Sequence, residues 1–436
     1  MIRALLWFFI AYFIVAYGGR VLLLLMGVPA LLRGLALRPF NDMPAPYSGF
    51  EPPVSVIVPA SGDISTVIAS VGTLLDLDYP QFEIIVVCDD GTPGGLAALQ
   101  EGLQLQPFPE ALWRRIPSGE VRTVYQSLLH DHLRVLDKEG FGRADALNAG
   151  INASHYPLIC AIDPGLRVQR DALQRLAEPF LEQQSTVACM SHMRVDGAGE
   201  LPRSLFRVLQ VVEALPALVF RRVGWDALRS ALPMAGDIVM LRKDVVVEAN
   251  GFNAHSECED TELALRLHRA LRARGDRYEM RFLPDPVAWT AGHESTLAAI
   301  GPHRRWQHGF AQALRRNAAL LAATGFARGP ALPFMLFFES YGAAIEVAGY
   351  AFVIAMWAAG LIAGAMAGAF LALTVSLGFL VSATALLLET LSTDLYPGLL
   401  QLARLAIVAV AENLGYRQLM TFTRAAALLP RRRPTA

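Results

Sequence analysis

Apolar residues are concentrated at the two ends of the chain. Residues 5–28 form one apolar stretch, and a second apolar region begins near residue 332 and continues to residue 429. A helix needs about 20 apolar residues to cross the hydrocarbon core of a bilayer. We therefore predict an N-terminal transmembrane segment over residues 1–32 and a C-terminal membrane region over residues 330–430.

The C-terminal region is predicted to contain transmembrane and interfacial helices. Phe334–Ala359 and Met366–Leu388 are its two best spans by length and hydropathy. Pro397–Leu429 is also apolar but contains charged residues, so an interfacial or re-entrant segment is as plausible as a span. Glu339 and Glu346 share one face of an apolar helix. They indicate either a polar translocation path or packed glutamates near the interface, and the second alternative is slightly favoured.

Short apolar runs alternate with helical patterns between these ends. The strand-like runs are Val54–Pro59, Glu83–Cys88, Leu133–Leu136 and Leu158–Asp163. Strands alternating with helices predict an α/β domain with a mainly parallel sheet. We place this domain at residues 53–322, after a linker over residues 33–52 in which prolines cluster. Residues 91–131 show little pattern and predict a long loop region.

Composition and charge narrow the function classes. The hydrophobic fraction is 54%, the mean hydropathy is +0.37 and the formal net charge is −1. A near-neutral chain has no field that would attract nucleic acid. Arg33 and Arg38 follow the first apolar stretch, which favours the cytoplasm for the domain that comes after it. The sequence therefore predicts a multi-pass protein of the cell membrane with a cytoplasmic domain.

Acidic residues follow three of the predicted strands. Asp63, Asp90 and Asp163 each come at or shortly after the end of an apolar run. Carboxyl ends of parallel strands meet at one edge of a sheet, where open α/β folds bind ligands. Each acid alone could simply cap a turn, but three acids at one edge favour a nucleotide-binding site.

The order of the motifs resembles one family. The segments VSVIVPA, IIVVCDDG, GRADALN, GFNAHSECEDTELALRLHR and RRWQHG are similar to those of membrane-bound family 2 glycosyltransferases. This family includes cellulose, hyaluronan and poly-N-acetylglucosamine synthases. The resemblance implies a GT-A-type nucleotide-sugar-binding domain that transfers a sugar with inversion.

The resemblance also implies roles for individual residues. Donor binding is assigned to Asp63, Asp90, Arg143 and Asp145, the metal (Mg²⁺ or Mn²⁺) to Asp163, catalysis to Glu259 and Asp260, and the acceptor or diphosphate to Arg304, Arg305 and Trp306. Asp260 is the candidate general base, because a carboxylate in a partly desolvated cleft gains basicity. Its alternative role is that of a helix N-terminal acid. For the arginines the alternative is an amphipathic helix that faces lipid phosphates.

Two motifs depart from the family pattern. Gly165 stands where the second acid of the Asp-X-Asp motif is expected, and Pro302 stands where the Gln of Gln-X-X-Arg-Trp is expected. The sequence predicts transfer from a UDP-sugar to a growing glycan or lipid-linked acceptor, with membrane lipid and polysaccharide-export subunits as further partners. The alternative is a degenerate glycosyltransferase that acts as a nucleotide-binding or scaffold subunit.

Overall fold

A computed structural model of the chain describes most of its 436 residues. The described ranges are 1–41, 49–60, 63–90, 94–140, 142–195, 201–216, 223–228, 231–233, 237–318, 331–392 and 398–429. The chain divides into two compact units. The sheet unit comprises Arg38–Arg194 and Ala231–Ala291, and the helical unit comprises Met1–Leu37, Val195–Ser230 and Gly292–Ala436. Residues 195–230 and 292–322, which were predicted to belong to the domain 53–322, are therefore part of the helical unit.

The sheet unit is built on one ten-stranded sheet with the order β3-β4-β5-β2-β1-β6-β9-β8-β10-β7. The strands are β1 Val54–Pro59, β2 Phe82–Cys88, β3 Leu105–Pro107, β4 Val121–Ser127, β5 Leu133–Lys138, β6 Leu158–Ala161, β7 Arg167–Val168, β8 Thr186–Val195, β9 Asp237–Arg242 and β10 Glu279–Thr290. The predicted strands are present, with ends shifted by up to a few residues. The sequence also predicts a strand over Gly236–Arg242; its first residue lies outside the described residues, and β9 covers the rest.

The sheet is mixed, and its parallel pairs lie at the centre. Strand β1 runs parallel to both β2 and β6, and β2 runs parallel to β5. The flanking pairs, such as β4 with β5 and β6 with β9, are antiparallel. The central strands are continuous apolar runs because both of their faces are buried, and every residue of β1 is buried. The expected mainly parallel arrangement is therefore confined to the centre of the sheet.

Helices cover the sheet and complete its core. In the sheet unit they are α2 Ile64–Leu75, α3 Gly95–Leu103, α4 Arg143–Ala153, α5 Ala172–Glu182, α8 Lys243–Glu248 and α9 Glu259–Arg274. One core cluster joins strand residues such as Val56 and Val86 to helix residues such as Val71 and Leu173. Burial of these side chains is the main favourable term for the unit.

The prediction of a long loop region over residues 91–131 is wrong in part. Helix α3 and strands β3 and β4 lie within this range. Strand β3 is short and mostly exposed, and β4 is only partly buried. Strands at or next to the edge of the sheet, such as β3 and β4, lack the continuous apolar run that marks a fully buried strand, so the sequence pattern is weak there.

The helical unit contains the candidate membrane spans. Its helices are α1 Ile2–Asn41, α6 Leu205–Pro216, α7 Gly224–Ala227, α10 Thr296–Arg316, α11 Ala331–Phe334, α12 Gly342–Ala358, α13 Gly364–Ser392, α14 Leu399–Ala411 and α15 Arg417–Ala427. Within the described ranges, three segments are long and apolar enough to cross a membrane: Ile2–Pro29, Gly364–Leu388 and Leu399–Ala427. Helix α1 also extends into the predicted linker 33–52.

The predicted span Phe334–Ala359 is not one continuous α-helix. A π-helical segment, Met335–Ser340, precedes α12, which has 17 residues. A second π-helical segment, Glu412–Tyr416, separates α14 from α15, and Leu414 and Gly415 leave helical geometry there. Insertions of this type often occur at functional positions within helices.

The N-terminal helix packs against the C-terminal helices. The ring of Phe13 lies 5.6 Å from that of Tyr350 and 5.5 Å from that of Phe370. Arg20 lies 3.6 Å from the carboxylate of Glu346, which is 4% exposed. Glu346 is thus packed and paired within the helical unit. The two apolar ends of the chain form one helical bundle.

The charges of the last candidate span are also paired inside this bundle. Arg417 lies 3.0 Å from Glu412, and the Ser382 hydroxyl donates to Glu412 at 3.1 Å. Charged groups are costly at membrane depth unless a protein partner compensates them. This pairing explains how an apolar helix can carry the charged residues that made its assignment ambiguous in the sequence.

Candidate functional site

One arginine joins three acids at the carboxyl edge of the sheet. The Arg143 Nε donates to Asp163 Oδ1 at 2.6 Å, and its Nη1 donates to Glu259 Oε1 at 3.0 Å and to Asp260 Oδ2 at 2.8 Å. Burial acts to lower the pKa of Arg143, but the three carboxylates raise it well above its ordinary value. We call these four residues the Arg143 clasp.

The chain geometry brings the members of the clasp together. Arg143 is the first residue of α4, Asp163 follows strand β6, and Glu259 and Asp260 open helix α9. The resemblance assigned these four residues to donor, metal and catalytic roles, and the structure places each of the three acids in contact with Arg143. The N-terminus of α9 also favours the negative charges located there.

Asp260 has the environment of a candidate base. Burial raises the pKa of Asp260 to about 6; Arg143 lowers it, while Glu259 and Asp163 raise it. About 22% of the side chain remains exposed, so solvent or a ligand can reach the carboxylate. A carboxylate whose pKa approaches the working pH is suited to accept a proton.

Gly165 occupies a turn after Asp163. Its φ is +84°, a left-handed conformation that favours glycine, and its N–H donates to Ser70 Oγ at 2.7 Å. The glycine at the position of the second family acid therefore has a structural reason. An aspartate there would adopt a backbone conformation that costs about 1–2 kcal/mol.

Asp63 is the N-cap residue of α2. Its carboxylate accepts from the N–H of Thr66 at 3.2 Å, and hydrogen bonds from Ser65 and Thr66 lower the pKa of Asp63. The side chain remains exposed at the same edge of the sheet. Asp63 therefore has a capping role, and its position also leaves it accessible to a ligand.

Asp90 is held by an arginine that the sequence analysis missed. Arg122 Nη1 lies 2.9 Å from Asp90 Oδ1, and the Gly140 N–H donates to Asp90 Oδ2 at 2.8 Å. These hydrogen bonds, that from Arg122 first, lower the pKa of Asp90. Arg122 also pairs with Asp137 of β5, which lies opposite Cys88 in the sheet. An isolated arginine in a weakly patterned strand gave no sequence signal for this contact.

Asp145 pairs with a lysine that was also missed. Lys138 is 0% exposed, and its Nζ lies 2.5 Å from Asp145 Oδ2. The N–H of Gly119 donates to Asp145 Oδ1 at 2.9 Å. Asp145 thus fixes the end of β5 and the chain around Gly119. The lysine at the end of an apolar strand was a usable signal, because a buried lysine requires a paired acid.

Arg304, Arg305 and Trp306 lie on α10 in the helical unit. The Trp306 ring stacks on Phe310, with centroids 4.9 Å apart and an interplanar angle of 11°. Arg305 is exposed, and Pro302 lies inside the same helix. The sequence predicts a basic helix over Arg304–Leu321. The helix begins earlier, at Thr296, and residues 319–321 lie outside the described ranges.

Asp163 has the most exposed carboxylate of the Arg143 clasp. Among the described residues, no three His, Cys, Asp or Glu side chains are grouped so as to hold an ion. Asp163 offers a carboxylate that is 45% exposed. Mg²⁺ is often bound by one or two carboxylates together with substrate phosphates. Asp163 therefore fits a phosphate-bridged ion and does not fit an all-protein cage.

Comparisons with known proteins agree on one family. The family model "Glycosyl transferase family group 2" matches residues 158–393. A probable glycosyltransferase, YdaM, of Bacillus subtilis (strain 168) is 22% identical over 260 residues, which cover 59% of this chain and 55% of that protein. A poly-beta-1,6-N-acetyl-D-glucosamine synthase of Staphylococcus epidermidis is 20% identical over 266 residues, covering 61% and 56%. The chain spans about half the length of these curated relatives.

A solved structure shows the same fold. It is the mannosyltransferase PcManGT from Pyrobaculum calidifontis, in complex with GDP-Man and Mn²⁺. The two chains are 19% identical with a TM-score of 0.56, over 96% of this chain and 100% of that one. The predicted GT-A-type α/β fold with apolar terminal helices is confirmed.

Proposed function

Because the chain belongs to glycosyl transferase family group 2, we propose that it transfers a sugar from a UDP-sugar to a growing glycan or lipid-linked acceptor. The Arg143 clasp is the observation that carries this proposal. It combines a cation suited to a diphosphate with a carboxylate suited to an acceptor hydroxyl at the ligand-binding edge of the sheet.

Arg143 is the cation that binds the negatively charged diphosphate of the donor. Its planar guanidinium can pair with two phosphate oxygens at once. In the absence of donor, the guanidinium nitrogens donate instead to the carboxylates of Asp163, Glu259 and Asp260. A diphosphate therefore competes with these carboxylates for Arg143. When Arg143 binds the diphosphate, its interaction with Asp260 weakens, the pKa of Asp260 rises and the carboxylate becomes a better base.

Asp260 takes the proton in the transfer step. The acceptor hydroxyl gives its proton to the Asp260 carboxylate while its oxygen forms a bond to the anomeric carbon. The bond between that carbon and the diphosphate oxygen breaks, and UDP leaves with the electron pair. Attack opposite the leaving group inverts the anomeric centre. Glu259 lies beside Asp260 on Arg143 and positions the clasp.

Asp163 would hold a divalent cation, Mg²⁺ or Mn²⁺, together with the donor phosphates. Such an ion supplies positive charge that stabilises the leaving diphosphate. Asp63 and Asp90 lie near the same edge and are proposed to contact the nucleoside. Asp145, fixed by Lys138, supports the pocket wall. Arg304, Arg305 and Trp306 are proposed to serve the acceptor or the diphosphate.

We propose that the reaction takes place at the membrane, and the apolar helices support this proposal. We assign residues 1–32 and 330–430 to the membrane region, and residues 53–322 to a cytoplasmic catalytic domain. Arg33 and Arg38 support the cytoplasmic side. Lipid is then a constant partner, and polysaccharide-export subunits are proposed further partners.

The experiment that tests this function is a transfer assay with isotopically labelled donors. The detergent-purified chain is incubated with UDP-sugars and GDP-sugars, an acceptor extract from membranes, and Mg²⁺ or Mn²⁺. We expect labelled product from a UDP-sugar and its loss in EDTA. Nucleotide binding without product for every donor would support the scaffold alternative instead.

The donor site gives a separate prediction for Asp90. Asp90→Ala should weaken UDP binding by about tenfold or more, since a hydrogen bond to a charged group contributes about 1.5–3 kcal/mol. Calorimetric titration with UDP measures the effect. Asp171→Ala is the matched control, because Asp171 is also an exposed aspartate paired with an arginine. Unchanged UDP affinity in folded Asp90→Ala protein would remove Asp90 from the nucleoside site.

The pH dependence of transfer follows from the raised pKa of Asp260. Only the ionised carboxylate accepts a proton, so kcat/KM should rise with pH and level off above about 6. Below that value it should fall about tenfold per pH unit. A half-maximum near 3.9, the ordinary value for aspartate, would show that burial does not govern this carboxylate during turnover.

A further inference from the structure

A cavity lies at the edge of the sheet opposite to the Arg143 clasp. It has a volume of about 1080 Å³, and its lining includes Pro52 and Leu158. These residues stand at the amino-terminal ends of β1 and β6, where Val54 pairs with Leu158. At about 3.3 Å per residue, Asp163 lies about 16 Å further along this chain direction. The cavity is therefore separate from the candidate catalytic site.

An exposed tryptophan stands on the rim of this cavity. The Trp113 side chain is 76% exposed, although burial of a tryptophan is strongly favourable. The loop that carries it is fixed on both sides. Arg134 Nη1 donates to both carboxylate oxygens of Glu110, at 2.7 and 2.5 Å. Asn152 Oδ1 accepts from the N–H of Arg115 at 2.9 Å and from that of Ile116 at 3.1 Å.

The anchor of this loop is itself buried. Arg134 is 6% exposed and also pairs with Glu83 at 2.6 Å. His155 lies between the two acids, 3.0 Å from Glu83 and 3.1 Å from Glu110. His155 is itself exposed, but the connected hydrogen bonds around the buried Arg134 hold the network in one arrangement. Trp113 is thus presented to solvent on a prearranged support, which lowers the ordering cost of binding.

The lining suits a ligand that is uncharged and rich in hydroxyl groups. Two further aromatic residues, Tyr156 and Phe180, line the cavity, together with the amides of Asn152 and Gln184. Its charged side chains balance, with three basic and three acidic residues: Arg115, Arg242, Lys243, Glu110, Asp244 and Glu248. Arg242 pairs with Asp244 at 2.5 Å, so part of this charge is already neutralised. The lining therefore has no net charge that would attract an anion.

We propose that this cavity is a second carbohydrate site, which binds a neutral glycan segment with Trp113 as its stacking platform. A pyranose ring has a face of C–H groups that packs on an indole, and hydroxyl groups that pair with amides and carboxylates. The proposal rests on the proposed function for the source of the glycan. It adds a surface that holds acceptor or product away from the reacting atoms.

The test is glycan binding by the full chain in detergent. Cellohexaose, mannohexaose and a β-1,6-linked N-acetylglucosamine hexamer are titrated by calorimetry, with saturating UDP present to occupy the donor site. We expect at least one of them to bind wild-type protein. Trp113→Ala should weaken that binding by about tenfold or more, and Trp113→Phe should weaken it less, since a ring remains.

Two controls separate this site from the catalytic one. Trp357→Ala removes another exposed tryptophan, 54% exposed, and should leave the affinity unchanged. Asp260→Asn should abolish transfer but keep glycan binding, and Trp113→Ala should keep UDP affinity. The proposal is wrong if none of the hexasaccharides binds, or if binding is indifferent to Trp113→Ala. Displacement of the glycan by UDP would also overturn it, because the two sites would then be one.

Discussion

Asp260→Asn should lower the rate of sugar transfer by about 10²–10⁴-fold, the usual contribution of a positioned general base. Asparagine keeps the size of the side chain and its contact with Arg143, but it cannot accept the acceptor proton. UDP affinity should stay near the wild-type value, because Asp260 acts on the acceptor. Initial rates of product formation and calorimetric titration with UDP give the two quantities.

Asp276→Asn is the matched control for this substitution. Asp276 follows the other end of α9 and pairs with Arg274 at the surface. It should leave transfer unchanged. A wild-type rate in Asp260→Asn protein would show that another group takes the proton, and loss of UDP binding would show that Asp260 belongs to the donor site.

Arg143→Ala should weaken UDP binding by about 30-fold or more, since truncation of one partner of a buried charge pair costs about 2–5 kcal/mol. Asp163, Glu259 and Asp260 would then repel one another without a cation, so the free energy of unfolding should fall as well. Arg143→Lys keeps the charge without the planar fork, and an intermediate loss is expected.

The same substitution has a second readout in the pH profile. Arg143 lowers the pKa of Asp260, so residual transfer by Arg143→Ala protein should reach half its maximum at a higher pH than the wild type. Arg281→Ala removes an exposed arginine paired with Glu279 and serves as the control. An unchanged profile and UDP affinity would contradict the role of the clasp in both donor binding and base strength.

The sequence predicts the centre of the fold well. Strand β1 matches its predicted bounds at both ends, because a strand buried on both faces must be apolar throughout. The start of α9 at Glu259 is similarly visible in its acidic first turn, and its end is visible in Gly275, which has a φ of +73°. These signals are local, so they need no knowledge of distant contacts.

Other features depend on contacts between residues far apart in the chain. Three ion pairs are of this type: Arg122 with Asp90, Lys138 with Asp145, and Arg20 with Glu346. Each partner alone is an ordinary charged residue in the sequence. Partly buried strands near the edge of the sheet and the π-helical interruptions are likewise set by packing. This explains why β4 and the break before α12 were not predicted.

The sequence named the candidate site residues, but it did not predict their geometry. The resemblance indicated Arg143, Asp163, Glu259 and Asp260 as members of different functional groups. The structure joins them through a single guanidinium. Gly165, a departure from the family motif, also gains a physical explanation from its left-handed backbone.

The central claim is that this chain turns over a nucleotide-sugar at the Arg143 clasp. The most direct measurement is UDP release by the purified full chain, in detergent and with Mg²⁺ or Mn²⁺, over a panel of UDP-sugars with an acceptor extract from membranes. We predict release from at least one donor that depends on the acceptor and is lost in Asp260→Asn protein. Absence of release from every UDP-sugar by folded protein that binds UDP would contradict the account.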